Sequence, residues 1–206
     1  MLLPVSVRLQ LLFAGLLMLG ATGPISAQRG MLGGMGGEGI DQRPIRIVVD
    51  AGLTVPSGEF KAKHENGFHY GAMLIVAIPG FPIAIRPEVS LTQYKMKKPF
   101  STTPVYGDFK NTNTVSGLGN IEVPIAGGLY VLGGAGILSL KSDTTTLGSQ
   151  LAATNLLLDV GGGFRFRLGD HVDGYLEARM GTASFDKARF GYAKAQFVPL
   201  TFGLVF

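Results

Sequence analysis

The chain has 206 residues, no cysteine, 31 glycines and a formal net charge of +4. The absence of thiols excludes disulfides, thiolate metal sites and cysteine nucleophiles, and the length suits one domain. The glycines follow no collagen period, and a small net charge says less than the placement of the individual charges.

The N-terminus reads "MLLPVSVRLQLLFAGLLMLGATGPISA". Arg8 precedes an apolar run from Leu9 to Leu19, followed by Gly20, Gly23, Pro24, Ser26 and Ala27. A spanning helix needs about 20 apolar residues, so the run is too short for one. The layout is that of a secretory signal peptide, residues 1–27, with cleavage expected after Ala27. Residues 28–44 are Gly-rich and aperiodic, and are expected to form a flexible segment. The folded domain is expected over 45–206. The most apolar later window, "GAMLIVAIPGFPIAI", contains Pro79, Gly80 and Pro82, which mark a turn and not a helix.

Eight alternating segments follow, at 45–55, 67–78, 82–94, 111–123, 128–140, 154–168, 171–184 and 195–206. Each is long enough for a transmembrane strand, about 9–11 residues, whereas soluble strands average about 5–6. The connectors alternate between tight turns ("PGF", "PIAGG", "GDH") and long polar loops. Short turns at one end and long loops at the other describe an all-β, eight-stranded antiparallel up-and-down transmembrane β-barrel. A hairpin hidden in a long loop would raise the count to ten.

The faces support an inverted barrel. Ile45, Ile47, Val49, Ala51 and Leu53 oppose Arg46, Asp50 and Thr54. Ile83, Ile85, Val89 and Leu91 oppose Arg86 and Glu88. Ile121 and Val123 oppose Asn120 and Glu122. Leu156, Leu158, Val160, Phe164 and Phe166 oppose Asp159, Arg165 and Arg167. Leu176, Ala178 and Met180 oppose Asp173, Tyr175, Glu177 and Arg179. A charge facing lipid at mid-depth costs about 2–4 kcal/mol, so the charged face belongs inside. Segments 67–78 and 128–140 alternate too poorly for a face to be assigned. The expected lumen is thus a nearly balanced network of Arg46, Asp50, Arg86, Glu88, Glu122, Asp159, Arg165, Arg167, Asp173, Glu177 and Arg179. Arginine suits this because its planar fork pairs carboxylates bidentately. Eight strands enclose a space that side chains fill, so a polar plug is expected ahead of a gated ion path or proton relay.

All nine lysines lie in the long loops or at their edges. Lys61, Lys63, Lys97, Lys98, Lys110, Lys141, Lys187 and Arg189 form an expected basic rim, read as a contact for lipopolysaccharide phosphates or an external partner. An ordinary solvated loop surface is the alternative. Phe68, Tyr70, Tyr94, Tyr192 and Phe197 are expected in an aromatic girdle at the loop end, and Phe81, Tyr130, Phe166 and Phe206 at the turn end.

The last segment, "VPLTFGLVF", places Phe202, Leu204 and Phe206 on one apolar face. With the strand plan above, it resembles the small outer-membrane barrels of the OmpA, OmpX and opacity-protein type across residues 45–206. In that family an alternating apolar strand ending in Phe is an assembly signal, so the resemblance implies that Phe202, Leu204 and Phe206 address the barrel-assembly machinery. It also implies an outer-membrane location and a monomer among outer-membrane lipids and lipopolysaccharide; with the last strand ending at Phe206, no peptidoglycan-binding domain is expected after the barrel. It says little about activity.

No catalytic, cofactor or metal site is expected. The glycines of "GGLYVLGGAGILSL" precede no helix and cannot cradle a phosphate. His64 and His69 lie toward the loops and His171 at the other end, so the three cannot share a metal. Ser57, His64 and Glu65 share a loop but match no hydrolase pattern. Basic loops without stacking aromatics, on an exported chain, do not suggest nucleic acid. The expected role is structural or interactive, with a narrow channel for ions or small solutes as the alternative and a lipid-modifying rim enzyme behind it.

Overall fold

The computed structural model describes residues 43–97, 109–144 and 150–206; the expected signal peptide and nearly all of the Gly-rich segment lie outside the described residues. Eight strands follow in order: β1 Ile45–Ser57, β2 Gly67–Ala77, β3 Ala84–Lys95, β4 Phe109–Pro124, β5 Leu129–Thr144, β6 Gln150–Arg167, β7 Asp173–Ser184 and β8 Lys194–Val205. Each pairs antiparallel with the next, and β8 returns to β1 to close the barrel. The closing register runs from Val48 opposite Val205 to Ser57 opposite Gln196. Beyond it, Phe206 N–H donates to Ile47 O at 2.9 Å and Ile47 N–H to Phe206 O at 3.2 Å. Closure satisfies the ladder groups that an open sheet edge would expose to lipid.

The expected count of eight holds, but the middle strands are longer than their apolar pattern. β4, β5 and β6 have 16, 16 and 18 residues. Much of the polar stretch 141–153 is therefore strand, with β5 and β6 running on past the apolar band. At the opposite end, Gly127 and Gly128 take φ of 58° and 88° between β4 and β5, which glycine alone adopts at little cost. Two one-turn helices sit in the long loops, α1 Gly58–Lys61 and α2 Lys187–Phe190. Among the described residues no helix is long and apolar enough to cross a membrane.

The outside is apolar. Leu156 is 64% exposed while its neighbour Leu157 is 1% exposed, and Ile45, Ile47, Val49 and Leu53 are exposed where Arg46, Val48 and Thr54 are buried. This is the polarity of a barrel solvated by lipid.

The inside is not uniformly polar, which corrects the expected lumen. The loop half is apolar and aromatic, with Tyr94, Leu138, Leu140, Leu157 and Phe197 beneath Phe60, Phe190 and Tyr192. The turn half carries the charges, beside a small apolar cluster of Val48, Met73, Ile75, Ala84, Tyr175 and Val205. This explains the two unassigned segments. In β2, Phe68 and Tyr70 point out while Met73 and Ile75 point in. In β5, Leu129, Val131 and Ile137 point out while Leu132, Leu138 and Leu140 point in. Much of the inner face of these strands meets apolar surroundings and carries no charged side chain below the rim, so the polarity alternation is weak.

Candidate functional site: a filled lumen beneath a loop lid

Alternation places one or two charges per strand on the inner face, and closure brings them together. Glu177 of β7 is the hub. Its Oε2 accepts from Arg86 Nη1 at 2.8 Å and from the Tyr130 hydroxyl at 2.8 Å. Its Oε1 lies 2.9 Å from Arg179 Nε, an ion pair by distance but not aligned as a hydrogen bond. Arg86 also donates to Glu122 Oε2 at 3.0 Å. Arg165 Nη2 reaches both Glu122 oxygens at 3.0 Å. Arg179 holds Glu88 with two bonds of 2.8 and 2.7 Å and Asp159 with one of 3.1 Å. The Tyr130 ring lies between two guanidinium groups, 5.5 Å from Arg86 and 5.0 Å from Arg165. Asp50 accepts from the Tyr175 hydroxyl at 3.1 Å.

Above this cluster the walls turn to hydroxyls. His69 is held between Thr54 at 2.9 Å and Thr201 at 3.0 Å, and Ser90 meets Ser116 at 2.7 Å. A cavity of about 30 Å³ lies here, lined by Thr54, His69, Ser90, Ser116, Asp159 and Arg179 among others. It has room for about one or two waters, too little for an aqueous path.

The loop end is closed by a lid built from the β1–β2 and β7–β8 loops. α1 drops Phe60 into the barrel mouth, where its ring stacks on His64 at 3.9 Å and meets Tyr94 and Tyr192 edge-on at 5.2 Å each. Asp186 caps α2 by accepting from Ala188 N–H, and Gly191 ends it at φ 70°. Polar bonds tie the loops together. Glu59 accepts from Lys187 at 3.0 Å and from Ala193 N–H at 2.7 Å, and Lys63 donates to Phe190 O at 3.1 Å. The Lys187–Glu59 pair is exposed and screened by solvent, so it contributes little. Burying one Phe side chain contributes about 1.5–3 kcal/mol, so the aromatic contacts hold the lid.

His64 reports on closure. Its Nδ1 faces Phe60 O at 3.1 Å and its Nε2 faces Thr112 Oγ1 at 3.0 Å. A carbonyl only accepts, so Nδ1 carries the proton; in the neutral ring Nε2 then accepts from Thr112. Burial pushes His64 down to about 4; the Phe60 carbonyl opposes the shift, and Lys63 and Lys97 add to it. The Ala193 amide, and then Lys187, hold the Glu59 carboxyl below its usual range.

No protein-family model matches the sequence, and no curated protein matches it. Solved structures do. The Neisserial surface protein NspA superposes with a TM-score of 0.52 at 16% identity, over 79% of this chain and 96% of that one. Ail, the attachment invasion locus protein of Yersinia pestis, solved in complex with the heparin analogue sucrose octasulfate, gives 0.51 at 12% identity over 80% and 100%. This chain has the fold of the small eight-stranded outer-membrane barrels.

Within that fold, Arg86, Glu88, Glu122, Asp159, Arg165, Glu177 and Arg179 form one connected network. Arg46 and Asp173 are buried toward the turn end, and Asp50 is half-buried. Arg167 is a correction. It shares the inward parity but is exposed, because it is the last residue of β6 and its side chain reaches water at the turn. The lumen then holds four arginines, Arg46, Arg86, Arg165 and Arg179, against six carboxylates, Asp50, Glu88, Glu122, Asp159, Asp173 and Glu177, so it is more acidic than expected.

Of the basic rim, Lys61, Lys141, Lys187 and Arg189 are exposed and Lys97 is half-buried, donating to Lys61 O at 2.8 Å. Lys63 is a correction, since it is buried in the lid. Lys98 lies outside the described residues, and so does the side chain of Lys110. Phe202 and Phe206 are exposed on the outer face of β8 with Leu204 half-buried between them. The aromatic girdle is thinner than expected. Phe68, Tyr70, Phe81 and Phe206 face out, but Tyr94, Tyr130, Tyr192 and Phe197 are buried inside. The lid is the feature that the sequence analysis missed, and it carried a signal: Phe60, Phe190 and Tyr192 are large aromatic side chains within otherwise polar loops, whereas nothing in the sequence set Tyr130 apart as a member of the charge cluster.

Proposed function

We propose that this is a closed, non-conducting outer-membrane barrel with a structural and interactive role, contacting lipopolysaccharide or an external partner at its loop end. The filled lumen carries this reading. A cavity of about 30 Å³ beside an ion-paired charge cluster leaves no room for a hydrated ion. The apolar outer wall supports a place in the membrane, and the exposed rim of Lys61, Lys141, Lys187 and Arg189 supports an anionic partner. Ail was solved with a polysulfated sugar, which makes polyanions the first class to try. Phe202, Leu204 and Phe206 would serve as the assembly signal. Catalysis has no support in the geometry of the one rim set considered, since both ring nitrogens of His64 are engaged by Phe60 and Thr112 and neither is left for Ser57.

The test is conductance of the refolded barrel in planar bilayers, after boiled and unboiled electrophoresis of the outer-membrane fraction has established closure and location. The expected result is a heat-dependent mobility shift and no steady unitary current. Steady currents altered by neutralising Arg179 would replace this reading with the narrow channel.

A further inference from the structure

The outer wall is not apolar up to its loop-end rim. On three strands the outward residues run apolar, neutral polar, lysine toward the loops: Leu91, Gln93, Lys95 on β3; Ile137, Ser139, Lys141 on β5; Val198, Gln196, Lys194 on β8. All three lysines are exposed. The turn end has no such order, and its outer residues Phe81, Ile125, Leu129, Leu168 and Phe206 are exposed and apolar.

Two of the lysines flank a single strand. Lys95 stands opposite Asn111 of β4. Asn113, one outward position further down β4, stands between Gln93 and Lys141. At about 4.8 Å per strand and with a two-residue stagger along β4, the two lysine backbones are roughly 12 Å apart, a gap their four-carbon stems can close around one anion. The next row down is the hydroxyl pair Ser139 and Thr154, at 3.2 Å. Below that the wall becomes shallow. Gly119 of β4 stands directly opposite Ala135 of β5, while Gly117 faces the exposed Ile137 and Gly133 the exposed Ile121, so the shallow track is a notch between two isoleucines. A Cβ on Gly117 or Gly119 would meet nothing closer than 3.9 Å, and on Gly133 nothing closer than 3.5 Å, so barrel packing does not demand these glycines. The acids at the border are Glu65, whose N–H donates to Lys95 O, and Asp143, which has an interaction of its own.

We infer that the β3–β5 outer wall is a lateral seat for one phosphorylated lipid of the loop-side leaflet. Lys95 and Lys141 take the phosphate, Gln93, Asn111 and Asn113 supply neutral donors, and an acyl chain lies along the shallow track. Charge complementarity at the headgroup selects the occupant, because a zwitterionic annular lipid gains less than a phosphorylated one from two lysines that hold no ion pair among the described residues. The seat rests on the proposed reading that the loop end faces the outer leaflet, and it moves the lipid contact from the loop crown to the side of the barrel.

The probe is diphosphoryl lipid A in phosphatidylcholine nanodiscs around the full barrel, read by native mass spectrometry. Wild type is expected to retain one lipid A. The double variant Lys95→Gln, Lys141→Gln should lose that retention roughly thirtyfold, while its heat-dependent mobility stays normal. Lys187→Gln, Arg189→Gln on the loop crown should retain it. Gly119→Leu should weaken it by filling the track without changing a charge. Unchanged retention in the double variant, equal retention of phosphatidylcholine, or a barrel dimer against the track would each overturn the seat. The orientation is tested separately by labelling Lys61→Cys from outside intact cells. Failure there sinks the proposed function, while the nanodisc result stands on its own.

Discussion

Glu177 and Arg167 have the same parity on paper and opposite fates in the barrel, which makes them a pair to compare. Glu177→Gln leaves Arg86 and Arg179 buried with one carboxylate fewer, and breaking a buried ion pair costs about 3–5 kcal/mol. Urea unfolding of the refolded barrel should show that loss. Arg167→Gln at an exposed strand end should change the midpoint by no more than about 0.5 kcal/mol. The sequence could place both on the charged face, because that needs only a period of two. It could not place Arg167 in water, because depth along a strand depends on where the turn falls. His64 gives a second residue-scale test. Its ordinary value is 6.5 and the closed lid holds it near 4, so the closed lid binds fewer protons than the open loop between those values. Lid stability is therefore complete above about pH 6.5 and falls as the pH drops toward 4. The lowered Glu59 acts in the same sense, losing its contribution as pH falls through its folded value. An NMR titration of the imidazole should show a midpoint below 5. A midpoint near 6.5 would mean the lid stands open in solution.

Among the elements, the inward and outward glycines separate two roles. A Cβ on the inward Gly136 would strike the Gly117 carbonyl oxygen and lie 2.8 Å from Leu118 Cα, while one on the outward Gly119 has open room. Gly136→Ala should destabilise by about 1–3 kcal/mol, as overpacked interiors do. Gly119→Ala should lie within about 0.5 kcal/mol of wild type in the same thermal or urea melt. The faces of β1, β3, β4, β6 and β7 were legible because lipid outside and charge inside impose strict alternation. Those of β2 and β5 were not, because Ile75, Leu138 and Leu140 face apolar parts of the lumen, and Met73, apolar in the sequence, meets Arg86 through its sulfur. The two one-turn helices were illegible for a different reason. Four residues carry no helical period, and only Phe60 and Phe190, out of place in polar loops, hinted that these segments fold inward.

At the scale of the whole molecule, two barriers stand in series between the two ends of the barrel. The first is the aromatic lid over an apolar loop half, and the second is the charge cluster that crosses the turn half. Their independence gives the prediction that best separates a plug from a channel. Phe60→Ala with Phe190→Ala empties the lid, at about 3–5 kcal/mol for each large side chain removed from a packed site. The barrel wall should survive, because none of its ladder bonds comes from α1 or α2. Hydrogen exchange in the β1–β2 and β7–β8 loops should accelerate, and His64 should titrate closer to 6.5 once its burial is relieved. Conductance should nevertheless stay at zero. Arg86 remains locked to Glu122 and Glu177, and Arg179 to Glu88 and Asp159, and an ion crossing that layer would have to separate buried pairs. If the lidless variant instead passes steady unitary currents, the charge cluster conducts by exchanging partners, the lid is its gate, and the structural reading gives way to a gated ion path.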